Sequence, residues 1–146
     1  MMRSRIYRTA SLMVGALMAG ALLLGTVSCT TLRLPADPGR EAFKETDRPP
    51  SGWIGNDPTA IAQDLYSGRD VGAGKYAEEL VAVRSDAEQP VLLFARLNIT
   101  DDSVRGIRYR LEFAPRGDQW ELVWVGTQVT CWPGRGHRNW STQRCT

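Results

Sequence analysis

Histidine is almost missing from this sequence: His137 is the only one in 146 residues. A metal cage built on several imidazoles is therefore excluded. No carboxylate follows Glu121, so nothing close in sequence orients His137 as a general base, and its neighbours Arg135 and Arg138 are cationic. Cysteines number three. With His137 they are too few and wrongly spaced for a closed zinc site. An excess of basic charge is also absent. Three of the 18 basic residues, Arg3, Arg5 and Arg8, stand ahead of position 29, whereas all 16 acidic residues follow it. The remainder is near −1 and has no global field to draw nucleic acid. A long apolar run is lacking too, so a free-standing anchor helix is not favoured. Leu12 to Ser28 carries no charge, but it is shorter than the ~20 residues of a spanning helix and contains Gly15, Gly20 and Gly25.

What is present begins with that stretch. A basic start, an apolar run and small residues ahead of Cys29 are the parts of an export signal. The end, Gly25-Thr26-Val27-Ser28-Cys29, resembles a bacterial lipobox. Thr26 stands where that family usually has leucine. The resemblance implies cleavage before Cys29, a diacylglycerol thioether on its sulfur, and an exported protein held to a membrane by its lipid. An ordinary secretory cut nearby and an uncleaved anchor are the alternatives. If Cys29 is lipidated, Cys131 and Cys145 remain as an even pair in an oxidising compartment, which predicts a disulfide.

Residues 29–56 are expected to form a flexible tether. Pro35, Pro38, Pro49 and Pro50 interrupt it, and charged residues keep it solvated. Residues 57–146 are expected to form one α+β domain. Asp57-Pro58 caps a helix of about ten residues with Ile61 and Leu65 on one face and Gly68 closing it. The glycine-rich stretch that follows fails the register of a phosphate-binding loop: Arg69 occupies its first glycine position, and Tyr76 follows Lys75 where Ser or Thr is required. No cofactor is expected. Four strands follow, near 77–84, 91–99, 106–114 and 119–131. In the third, Ile107, Tyr109, Leu111 and Phe113 alternate with Arg108, Arg110 and Glu112, as in a strand buried on one face only. In the fourth, Trp120, Leu122 and Trp124 are expected on one face and Val123, Val125, Thr127 and Val129 on the other. Short connections favour antiparallel neighbours. The fold expected is one short helix on a curved antiparallel sheet of about four strands, cystatin-like or NTF2-like by analogy, with a disulfide-closed C-terminal loop.

That loop holds the candidate binding residues Trp132, Arg135, His137, Arg138 and Trp140. Two indoles and cationic side chains without an acid suit an anionic envelope glycan or another envelope protein. The structural alternative is that the indoles pack on the sheet edge. Residues 120–145 resemble the C-terminal ends of small exported cyanobacterial proteins, a likeness that implies no activity. The leading expectation is a membrane-tethered binding or structural module of the cell envelope, with no catalytic residue and no metal. An NTF2-like small-ligand domain, its pocket bordered by Trp120, Tyr109 or Phe113, is the alternative. A hydrolase would need paired carboxylates, and Glu112 and Glu121 are the only acids on the two clearest strands.

Overall fold

The structure, a computed structural model, describes residues 36–46, 52–68, 75–85 and 88–146. The expected leader (1–28), Cys29 and residues 69–74 of the glycine-rich turn lie outside the described residues. Among the described residues no helix is long and apolar enough to cross a membrane.

The elements are a 3-10 turn (Arg40–Ala42), β1 (Lys44–Glu45), β2 (Ile54–Gly55), α1 (Pro58–Tyr66), β3 (Ala77–Arg84), β4 (Val91–Leu97), β5 (Val104–Arg116) and β6 (Gln119–Cys131). The strands make one antiparallel sheet in the order β1-β6-β5-β4-β3, with β2 also paired to β6. The α+β class is as expected, but the sheet has six strands rather than four. Both additional strands come from the stretch expected as a tether. Each is two residues long, too short for a period-two pattern to register. They cover the outer edge of β6 in succession: Ile54 opposite Glu121, Lys44 opposite Thr127, and then a bridge from Ser141 to Val129. The edge is paired piecemeal, which leaves little of it open to another chain.

Helix α1 starts as its residues dictate. Asp57 accepts from the Thr59 amide at 2.8 Å, and Pro58 occupies the first turn, where its missing N–H costs nothing. Gly68, at φ +68°, leaves the helix in the left-handed region. Glu78 on β3 holds this end by accepting from the Gly68 amide (2.7 Å), the Ser67 hydroxyl (2.9 Å) and the Tyr76 hydroxyl (2.6 Å). The buried helix face is Ile61, Ala62 and Leu65, which pack on Leu92, Phe94, Leu111, Phe113, Leu122 and Val125. Each large apolar side chain fully buried in this layer contributes about 1.5–3 kcal/mol. Tyr66 extends the layer by stacking on Tyr109, ring centroids 4.0 Å apart.

The faces of β6 differ from the simple alternation. Glu112 pairs with Trp124 and Phe113 with Leu122, so Val123 is an extra residue in the ladder. This bulge shifts the phase by one. Leu122 and Val125 therefore share the helix-side core, Trp124 turns to the opposite face, and Val123 is exposed. A second difference concerns the polar side of β5. Arg110 and Glu112 are buried, not solvated, because residues 37–43 fold across that face.

Candidate functional site

The closing loop is stapled and heavily bonded. Cys131 and Cys145 form a disulfide with their Cα atoms 5.6 Å apart, within the ordinary span of such a bridge. The Cys131 amide donates to the His137 carbonyl (3.0 Å), the Thr146 amide to the Arg135 carbonyl (2.9 Å), and the Thr130 hydroxyl to the Arg138 carbonyl (2.9 Å). Gly134 and Gly136 take positive φ, as the tight return of the chain requires.

The five candidate residues do not converge on one spot. Trp132 is half-buried against the β4–β5 turn, where its indole N–H donates to the Asp101 carbonyl at 2.8 Å. That turn is itself internally hydrogen-bonded. The Asp101 carboxylate accepts from the amides of Val104 (2.6 Å) and Ser103 (2.8 Å), which hold its pKa below the usual value. His137 points both ring nitrogens at carbonyl oxygens, Asn139 at 2.8 Å and Gln143 at 3.0 Å. Sγ of Cys131, Sγ of Cys145 and a His137 nitrogen lie within 4.8 Å of one another, but the two sulfurs are bonded together. Arg135 and Arg138 are exposed. Only Trp140 reaches the open face of the sheet, and there it meets a residue from another element.

That residue is Arg108 on β5. Its guanidinium carbon lies 4.9 Å from the Trp140 ring centroid and 5.6 Å from that of Phe43. Nε and Nη2 both donate to Gln128 Oε1 on β6, the Nε bond at 3.1 Å. Gln128 is fixed in turn by donating to the Ala42 carbonyl at 2.6 Å. No carboxylate comes within ion-pair distance of Arg108 among the described residues. Burial lowers its pKa, and the more remote charge of Glu79 offsets only part of that. Among the described residues, Nη1 and one N–H of Nη2 remain for another acceptor. Arg108 and Trp140, with Glu79, Val81, Leu93 and Ala95, line a cleft of about 170 Å³ on the face away from α1.

Beside the cleft is a compensated charge cluster. Arg110 donates to both Asp37 oxygens and, through Nε, to Glu112 at 2.7 Å. Arg40 donates to the other Glu112 oxygen at 2.6 and 2.8 Å while lying 5.0 Å from the Trp124 ring centroid. Burial would raise the Glu112 pKa, but the bonds from Arg40 and Arg110 outweigh it and the net shift is downward. Glu121, the other acid of interest, pairs with Arg116 at 3.0 Å. Both carboxylates are thus engaged by arginines. Of the aromatics expected at a pocket, Phe113 is fully buried and Tyr109 is stacked on Tyr66. Trp120 borders an open groove of about 370 Å³ with Pro58, Ala82 and Leu92.

Comparison with known proteins finds no matching family model, curated protein or solved structure. Arg108, Phe43 and Gln128 were not among the candidate residues. Arg108 reads as one of several polar positions on an alternating strand, and its partners lie 65 positions before it and 20 and 32 after it. The available signal was Arg108 in phase with Arg110 and Glu112 on a single strand, three ionic side chains that needed partners if that face was covered.

Proposed function

We propose that the protein is an exported, membrane-tethered binding module of the cell envelope, and that its ligand site is the Arg108–Trp140 cleft. The lipobox-like sequence at Cys29 and the disulfide-closed loop support export and tethering. One observation carries the site: a half-buried guanidinium, held by a neutral glutamine and two aromatic rings, keeps a free N–H edge beside an apolar floor. That edge matches a carboxylate bidentately, and the lack of a counter-ion among the described residues makes an anionic ligand the natural partner. The cleft volume, about 170 Å³, is below the ~300–1,000 Å³ of drug-sized pockets and suits one small group.

As a fold analogy we favour the cystatin-like arrangement over the NTF2-like one, since Phe94, Leu111 and Phe113 fill the space between helix and sheet. Binding then takes place on the opposite face. The test uses isocaproate and its neutral amide, followed through the Trp140 indole N–H signal. Saturable perturbation by the carboxylate, absent with the amide and absent in Arg108→Gln, is expected. Equal response to both compounds, or an unchanged response in Arg108→Gln, removes the cleft as the site. The tether is tested separately by the intact mass of the protein from its native membrane fraction. A chain beginning at an acylated Cys29 is expected, and an unmodified chain that keeps its leader would replace the lipid by a bitopic anchor.

A second reading, capture of an anionic glycan chain across the closing loop, rests on Arg135 and Arg138. Both are exposed, and neither is ion-paired among the described residues.

A further inference from the structure

The sheet register sets four side chains in one cross-strand row on the cleft face. Glu79 of β3 is opposite Ala95 of β4, Ala95 is opposite Arg108 of β5, and Arg108 is opposite Gln128 of β6. Glu79 and Arg108 are thus two strand spacings apart, about 9.5 Å between backbones. The residue between them is an alanine, whose single methyl leaves a notch in the row. Val81 and Leu93, opposite each other one step along, floor the same cleft, and the Trp140 indole walls it. Glu79 is exposed and makes no ion pair among the described residues. It lies close enough to influence Arg108 electrostatically, yet outside ion-pair distance. The cleft therefore has a cationic end, an anionic end, and apolar surface between and below them.

We infer that the cleft takes a zwitterionic small molecule, a free α-amino acid with an aliphatic side chain. The carboxylate lies on the free Nη1/Nη2 edge of Arg108, the ammonium faces Glu79, and the side chain rests on Val81, Leu93 and Ala95 under the indole. This rests on the carboxylate reading above and adds the second charge. A purely anionic ligand leaves Glu79 as a repulsive neighbour, and a purely cationic one leaves Arg108 uncompensated. A zwitterion is the small ligand that answers both ends. Glu79 discriminates; Arg108 anchors.

The experiment compares leucine with isocaproate, which is leucine without its amino group, and with leucinamide, which lacks the carboxylate. Each is titrated into the mature protein by calorimetry and by the Trp140 indole N–H signal. Leucine is expected to bind about fivefold more tightly than isocaproate, the scale of one partly exposed ion pair, and leucinamide still more weakly. Glu79→Gln, at an exposed position that leaves the fold intact, should remove leucine's advantage and strengthen isocaproate by relieving repulsion. If isocaproate equals or exceeds leucine, or if leucine keeps its advantage in Glu79→Gln, the zwitterion inference falls while the carboxylate site stands. If neither leucine nor isocaproate perturbs Trp140, both fall together. Arg108→Lys, which keeps the charge without the fork, should weaken leucine and isocaproate by the same factor and leave the fivefold ratio in place. A ratio that collapses in this variant would overturn the division of roles.

Discussion

Asp37 and Arg110 are 73 positions apart in the chain and joined side chain to side chain, with both Asp37 oxygens accepting from the guanidinium. This pair fastens residues 37–43 over the sheet face that the cleft occupies, and Arg84 adds a third contact at 3.1 Å. The bond from Arg110 is the main cause that holds the Asp37 pKa below its usual value, and Glu112 is also shifted down. The unfolded chain, with carboxylates near ~4, binds more protons than the folded one in acid. Stability from these groups is therefore fully present above the unfolded values and is lost as pH falls through the lower folded ones. Asp37→Asn should cost about 2 kcal/mol at neutral pH, less than a fully buried pair because Arg110 keeps Glu112. The gap between wild type and variant, measured by urea unfolding, should shrink below about pH 4. A gap that stays constant into acid would show that the ion pair contributes little.

The bridge between Cys131 and Cys145 closes a segment with a sequence separation of 14. Replacing Cys145 with Ser should lower stability by about 2–5 kcal/mol. Reductant should bring the wild type to the level of the variant and leave the variant itself unchanged. The backbone bonds of the loop, such as Thr146 to Arg135 and Ser141 to Val129, keep part of its shape after reduction. Unfolding midpoints that are insensitive to both the substitution and the reductant would mean that the cysteines are not paired in solution.

Much of the fold was legible because its longer elements carry strong local patterns. Asp57-Pro58 and Gly68 bracket α1, and the alternation of β5 and the apolar run of β4 place the central strands. Two features escaped for physical reasons. Strands β1 and β2 are two residues each and exist only by pairing with β6, so their signal is tertiary. The Val123 bulge reverses the phase of β6, and nothing in the flanking residues announces it. The site was half legible. Trp140 was a candidate from its company of arginines, but the arginine it stacks on is Arg108, 32 positions earlier, rather than Arg135 or Arg138. Trp132 and Trp140, read as a pair, serve different neighbours.

At Gly126 the covering segment packs directly against the backbone of β6. A β-carbon there would lie 2.8 Å from the Phe43 Cβ and would also collide with the Trp124 ring. Phe43 in turn stacks on Arg108. Gly126→Val should therefore cost about 1–3 kcal/mol through overpacking. It should also lift residues 37–43 from the sheet, visible as faster proteolysis within that segment and as weaker carboxylate binding. If binding is unaffected while stability drops, Phe43 is packing only and does not orient the guanidinium.

Arg135 and Arg138 separate the two ligand readings. Both are exposed, and in the bonds that fix the loop both serve through their backbone groups rather than their side chains. Replacing both with Ala should change stability by less than about 0.5 kcal/mol, as at ordinary surface positions. A small ligand confined between Glu79 and Arg108 does not touch these side chains, so its affinity should change less than about twofold, through long-range charge alone. An anionic glycan laid across the loop would lose two cationic contacts, and retention on a sulfated or uronate-rich resin should fall with a weaker salt dependence. The double variant and Arg108→Gln therefore make a crossed test. Loss of leucine and isocaproate binding only in Arg108→Gln assigns the function to the cleft. Loss of resin retention only in the double variant, with no binding of either small carboxylate in the wild type, assigns it to the loop.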